Sequence, residues 1–199
     1  MSESPLIQVI LGSTREERFS ERAGAWVVDR LSARDDLRVE RVDLRDYPLP
    51  FFDGRSPIHS PREYATPELA RFGETIDRAD GFVMVTPEYN HGYTAVLKNA
   101  IDHIFVEWTR KPVAFVGWGN VGGARAIEQL RLVVVEMEMA PLRHAVHMLP
   151  DVLITAIRAP EPFDLALLDP LLPRLTMLAD DLVWWATALA AARERASAT

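Results

Sequence analysis

The chain contains no cysteine, which excludes disulfides, thiol redox chemistry and thiolate metal sites in one step. A basic surplus is missing too: 22 lysines and arginines stand against 29 aspartates and glutamates, a net charge of −7. No basic stripe breaks that balance, so no nucleic-acid partner is expected. Apolar runs are short, and none approaches the ~18 uninterrupted residues of a membrane helix. The N-terminus shows no basic region followed by a long apolar run, so no signal peptide and no membrane partner are expected, and the chain reads as cytoplasmic. There is no G-x-S-x-G elbow, no Gly-Lys-Ser/Thr phosphate loop and no spaced nucleophile–base pair. Catalytic side chains are therefore not expected. Neither is a metal site: His144 and His147 lie three apart on a strand-like segment and point to opposite faces. No repeat, linker or low-complexity tract divides the 199 residues, a length that suits one domain over 1–199 with a full core.

What remains is a regular alternation. Short apolar segments at 6–11, 37–44, 82–85, 112–116 and 142–148 read as strands. Helical patterns at 19–31, 67–79, 93–108 and 124–137 separate them, and a long helix at 165–195, broken near Pro170 or Pro173, closes the chain. Residues 196–199 are expected to fray. Thr66 followed by Pro67 marks a capped helix start. Five strands alternating with helices point to a doubly wound parallel sheet covered on both faces. Only the proline-rich connection 47–66 is long, which in a compact domain marks a functional loop or a contact surface. The Trp184-Trp185 pair is expected in core and interface packing, and His91 and His103 at a surface or interface.

Three loops at strand ends carry polar groups. The stretch Thr86-Pro87-Glu88-Tyr89-Asn90-His91-Gly92 follows a strand buried on both faces, and open α/β sheets bind ligands at such carboxyl ends. A flat heteroaromatic ligand suits it, and so does an ordinary strand-to-helix turn. Between strand one and helix one, Gly12-Ser13-Thr14-Arg15-Glu16-Glu17-Arg18-Phe19-Ser20 brings three hydroxyls and two guanidinium groups to a helix N-terminus, a natural anion site. Side chains around a terminal monophosphate fit this loop, as does a solvated helix start. The third loop, Gly117-Trp118-Gly119-Asn120-Val121-Gly122, matches G-x-G-x-x-G literally. Only one strand follows it, too few for a mononucleotide-binding half, so its glycines are expected to admit a flat ligand or simply to form a turn.

Gly12-Ser13-Thr14-Arg15, Pro87-Glu88-Tyr89-Asn90 and Leu97-Lys98-Asn99-Ala100-Ile101-Asp102, in this order, resemble the NADPH-dependent FMN reductase family, which includes chromate, quinone and azo-dye reductases. The resemblance covers about residues 6–148. It implies a flavodoxin-like sheet of order 2-1-3-4-5, with FMN at the switch between strands one and three. Ser13, Arg15, Arg18 and Ser20 would then hold the FMN phosphate, with Thr14 and Phe19 in the same cofactor loop. Pro87, Glu88, Tyr89 and Asn90 would line the isoalloxazine edge, mostly through backbone groups, and Trp118, Gly119 and Asn120 would approach its other rim. Lys98, Asn99 and Asp102 would lie on a helix that often joins a homodimer or homotetramer, giving Phe105 and Trp108 a partner surface. The implied activity passes electrons from NADPH through FMN to a small acceptor by a ping-pong mechanism. Thr94-Ala95-Val96 in place of a Pro-Gly, Gly117 in place of a common serine and the longer first loop are departures that bear on substrate preference more than on flavin binding. The competing expectation is a flavodoxin-type electron carrier serving protein partners. Its acidity matches, but arginines in the phosphate loop do not. A flavin-free regulatory domain stands third.

Overall fold

The computed structural model describes residues 4–197. Its first strand, β1 (Leu6–Leu11), leads through helix α1 (Ser20–Ser32) to β2 (Arg38–Asp43), and α2 (Pro67–Asp77) returns the chain to β3 (Gly81–Pro87). Then follow α3 (Ala95–Asp102), β4 (Pro112–Trp118), α4 (Ala124–Glu136), β5 (Ala140–Met148), α5 (Pro150–Arg158) and α6 (Leu172–Ser197). All strand pairs are parallel, and the order is β2-β1-β3-β4-β5, as expected. Because β1 connects outward to β2 and the chain then crosses back to β3, a crevice opens between the carboxyl ends of β1 and β3.

Strand alternation divides the core in two. Ile7, Val9 and Leu11 face Trp26, Val27, Leu178 and Leu182 of α1 and α6. Ile10, Phe82, Met84 and Phe115 face Phe72, Leu97, Ile101 and Leu130 of α2, α3 and α4. Every residue of β3 and β4 is buried, which is why both strands read as continuous apolar runs. Edge strand β2 is half exposed and alternates with charge.

Several expected boundaries move. Thr94 caps α3, accepting from the Leu97 N–H, and the helix ends at Asp102 instead of running on to 108. Trp108 therefore leaves the helix and is wholly buried, edge-on to Phe82 at 4.9 Å, so it needs no partner chain. Helix α5 was not legible as an element; Pro150 occupies its first turn. The closing helix does break near Pro170, which lies in a 3₁₀ segment, Leu165–Leu171. Trp184 and Trp185 are 65% and 40% exposed, so they are not core, and they pack on each other edge to face. Helix α6 continues through Ser197, whereas the last two residues of the expected frayed end lie outside the described residues. The helical stretch Leu165–Ala196 is long and apolar enough to cross a membrane by length and composition, yet Leu175, Leu178, Ala179, Leu182 and Ala186 build one side of it into the core.

Candidate functional site

The end of β1 runs straight into the crevice. Gly12 still pairs with the Val85 carbonyl at 2.8 Å, and the Thr94 hydroxyl donates to the Gly12 carbonyl, so the loop leaves the sheet beside the start of α3. Beyond this point arginines bracket the loop. Arg18, 6% exposed, donates to the Ser13 carbonyl and to both carboxylate oxygens of Asp43, at 2.8 Å to Oδ1. Arg45, on the turn after β2, donates to the Thr14 carbonyl at 3.2 Å and to the Arg15 carbonyl. Three successive carbonyls thus face guanidinium groups. In a planar trans peptide the N–H lies opposite the C=O, so the amides of Thr14, Arg15 and Glu16 are turned away from the arginines. None of these three amides donates to another backbone group among the described residues, so they are left as a candidate cradle for an anion.

Helix α1 adds to that polarity. It begins without a side-chain cap, and the Ser20 hydroxyl is buried with no hydrogen-bond partner. The Glu21 N–H of its first turn reaches back to the Arg18 carbonyl at 3.5 Å, and the positive end of the helix dipole faces the loop. Asp43 is what makes the bracket possible. Burial pushes its carboxyl up, but the Arg18 hydrogen bonds, the Arg45 N–H and the Arg18 charge outweigh this and hold it below the ordinary carboxylate value.

Of the first-loop residues expected at a phosphate, Ser13 and Arg15 meet at Tyr89: its phenol lies 3.3 Å from both the Ser13 hydroxyl and an Arg15 nitrogen. The Arg15 guanidinium also sits 5.5 Å from the Tyr89 ring centre. Thr14, exposed, lies on the same wall. Arg18 does not join them, because its guanidinium is committed to Asp43, Glu21 and the loop carbonyl. Phe19 packs edge-on against Trp118 at 5.6 Å. Asp43 and Arg45 escaped sequence reasoning. Their signal was the pairing of Leu11 with Asp43, a register that no local pattern contains.

At the end of β3, Tyr89 and Gly92 exchange backbone hydrogen bonds of 2.8 and 3.0 Å around Asn90 and His91, at φ of 49° and 70°. This is a tight two-residue reversal with both central residues left-handed, a state Asn tolerates better than most residues. The Glu88 N–H bonds the Trp118 carbonyl at 2.9 Å, tying this turn to the end of β4. The Glu88 side chain points elsewhere: its carboxylate accepts from the Arg125 N–H at 3.0 Å and from Arg125 Nε at 2.6 Å. Burial would raise the Glu88 carboxyl, yet the hydrogen bonds and charge of Arg125 hold it below its usual value. Only the Glu88 carbonyl is left for a ligand.

Trp118 ends β4 as a buried residue, Gly119 is half-buried and Asn120 is exposed. The glycine loop serves internal packing more than a ligand. A Cβ on Gly123, at φ 75°, would lie 2.8 Å from Gly117 backbone atoms, and one on Gly122 would lie 2.8 Å from the His147 side chain. Gly119 alone stands against the Glu88 turn, where a Cβ would lie 3.2 Å from Glu88 Cβ.

The long 47–66 connection covers the opposite wall. Asn99 donates to the Pro50 carbonyl at 2.7 Å and accepts from the Phe52 N–H at 2.9 Å, while His103 Nε2 donates to the same Pro50 carbonyl at 2.9 Å. Further along, the Tyr64 hydroxyl donates to the buried Glu107 at 2.5 Å. A cavity of about 360 Å³ results, walled by Ser13, Arg15, Leu49, Phe51, Tyr89 and Val96. A larger one of about 490 Å³ lies under the long loop, but neither Ser13, Arg15 nor Tyr89 reaches it. The smaller cavity is therefore the candidate site. No group of three or more His, Asp or Glu side chains is arranged to hold a metal ion among the described residues.

Residues 5–152 match the family model described as NADPH-dependent FMN reductase. An NAD(P)H-dependent FMN reductase of Schizosaccharomyces pombe is 37% identical over 160 residues, 79% of this chain and 80% of its own. A quinone reductase of Pseudomonas putida is 33% identical over 146 residues, covering 70% and 74% of the two chains. Among solved structures, the flavoenzyme NAD(P)H:(acceptor) oxidoreductase FerB from Paracoccus denitrificans superimposes with a TM-score of 0.68 at 22% identity, covering 92% of this chain and 98% of that one. The matched span runs from the first strand through the last and takes in both the amide cradle and the β3 turn, so the chain belongs to the NADPH-dependent FMN reductase family and is an oxidoreductase that uses FMN and NAD(P)H.

Proposed function

We propose that this oxidoreductase passes electrons from NADPH through FMN to a small acceptor, a free flavin, a quinone or an azo compound, within one domain. The observation that supports this most is the amide cradle of Thr14, Arg15 and Glu16 beside Ser13, Arg15 and Tyr89 in the β1–β3 crevice. The residues suit FMN. The buried, unpartnered Ser20 hydroxyl and the uncapped α1 want an anion, and a terminal phosphate is one. In this reading Ser13, Thr14, Arg15 and Ser20 hold the phosphate, and Arg18, already committed to Asp43, braces the loop behind them. Backbone groups of Pro87, Glu88, Tyr89 and Asn90 border the ring on one side, with Gly119 and Asn120 on the other, and the Trp118–Phe19 contact backs that rim.

When bound, FMN supplies hydride acceptance from the nicotinamide and release of the electrons to the acceptor. The protein orients both partners in a cleft lined by Leu49, Phe51 and Tyr89. One cleft used in turn by NADPH and the acceptor predicts ping-pong kinetics. The same reading expects a homodimer or homotetramer, to which exposed Leu132, Val135, Trp184 and Trp185 offer apolar surface.

A visible spectrum before and after anaerobic NADPH is the direct test: flavin bands that bleach with NADPH alone support the reductase. Arg15→Ala and Tyr89→Ala should each weaken FMN binding about tenfold or more, Arg15→Ala the more strongly, because a charge-assisted contact is lost. Unchanged affinity in both would overturn the site. A flavodoxin-type carrier is the second reading, favoured by the net charge of −7 and opposed by Arg15 in the loop. Flavin bands that resist NADPH until a partner protein is added would put the carrier first.

A further inference from the structure

Arg125, outside every motif singled out in the sequence, connects more of the β3 turn than any residue within it. Its Nε lies 2.6 Å from Glu88 Oε1 and its Nη2 also bonds that oxygen, while its own N–H lies 3.0 Å from Oε2. Its Nη1 lies 2.8 Å from His91 Nε2. A guanidinium only donates, so this His91 nitrogen is the acceptor, with the imidazole proton on Nδ1. One turn further along α4, Gln129 Nε2 donates to the His91 carbonyl at 2.9 Å. Gly92 leaves room for this arrangement: a Cβ there would lie 3.2 Å from Gln129 Oε1. Helix α4 thus holds Glu88, the residue just before the reversal, by its carboxylate and the left-handed His91 by both ring and carbonyl.

The turn needs such a hold. Asn90 and His91 occupy left-handed backbone that non-glycine residues adopt at a cost, and only the Tyr89–Gly92 pair closes it from within. The Glu88 carboxylate, 3% exposed at its side chain, is balanced by the Arg125 charge and by the backbone N–H groups of Arg125 and Ala126. We propose that Arg125 is a positioning residue for flavin recognition: through Glu88 and His91 it sets the conformation in which residues 87–92 offer their backbone groups to the FMN ring. This rests on the reading that the turn borders the ring. Arg125 itself touches no part of the cofactor in this proposal. Lysine keeps the backbone N–H on Glu88 Oε2 but cannot replace the side chain, because a single ammonium on a flexible stem cannot reproduce two N–H groups on Glu88 Oε1 and a third on the imidazole in one fixed fork.

The experiment compares wild type with Arg125→Lys, Arg125→Met and Glu88→Gln, the last of which keeps side-chain size if Arg125→Met fails to fold. Backbone amide hydrogen exchange in the FMN-free protein reads the turn directly at the Tyr89 and Gly92 N–H groups. FMN titration followed by flavin fluorescence reads recognition in the folded protein. Expected are exchange at Tyr89 and Gly92 at least about tenfold faster in all three variants, and FMN binding about tenfold or more weaker, without rescue by lysine. A merely structural Arg125 would lower the melting temperature and leave the affinity of the folded protein untouched, which overturns the proposal. Unchanged exchange at Tyr89 and Gly92 overturns it as well. Faster exchange with unchanged FMN affinity also refutes it. Tyr89→Ala then tells the two failures apart: if it weakens FMN binding the relay alone has failed, and if it does not the turn is not the flavin edge.

Discussion

Asp43→Asn tests the bracket beneath the amide cradle. The Arg18 and Asp43 side chains are 1% and 7% exposed, so the substitution leaves a buried guanidinium facing a neutral amide. Only Glu21, with a side chain 51% exposed, remains to balance it. Breaking a buried ion pair from one side costs about 3–5 kcal/mol. With a slope near the upper end of ~1–3 kcal/mol per molar urea, the unfolding midpoint should fall by about 1–2 M. Tryptophan fluorescence across a urea series measures it. The pH dependence supplies an independent check. The Asp43 carboxyl is depressed in the folded chain, so its contribution is complete above the ordinary carboxylate range and is lost as pH falls through the folded value. Asp43→Asn should therefore also flatten the acid-side loss of stability below about pH 4. A loss under about 1 kcal/mol would mean that Arg18 can swing free at little cost, and the bracket would be refuted.

Gly123→Ala should destabilise the chain by about 2–4 kcal/mol, since a Cβ would enter left-handed backbone and meet Gly117 backbone atoms that cannot give way; a melting temperature equal to wild type would contradict that packing. Lys111 is buried with its Nζ on the Ile76 and Asp77 carbonyls, and burial, only partly offset by Asp77, brings its pKa down to about 8. The unfolded chain then holds the extra proton above that value, so stability should rise with pH, by up to about 2 kcal/mol between about pH 8 and about 9.5. Urea unfolding of wild type and Lys111→Met across this range is the assay, and equal pH slopes would rule the effect out.

Much of the scaffold was visible in local pattern. β3 and β4 read as unbroken apolar runs because both their faces are covered, and β2 alternated because it lies at an edge. Thr66-Pro67 announced α2, and its cap is present, with the Thr66 hydroxyl accepting from the Leu69 N–H. Trp108 misled, because an apolar residue after a helical run continues its periodicity whether or not the helix does. Helix α5 was hidden by its shortness: nine residues beginning Pro150-Asp151 resemble the end of a strand and a turn.

By itself the sequence determined the alternation of strands and helices, the polar loops at strand ends and the motifs that carry the family resemblance. These are local properties, set by the period of burial along one segment and by the backbone demands of Pro and Gly. Tertiary structure alone decided which charges do what. Arg15 and Arg18 lie three apart in one loop and look equivalent, yet one meets Tyr89 and the other is captured by Asp43, 25 residues away in sequence. Glu88 sits in the central motif, yet Arg125 takes its carboxylate and leaves only backbone for a ligand. The physical reason is common to both. A buried charge must find an opposite charge, and parallel-strand register together with helix docking determines which one lies within reach.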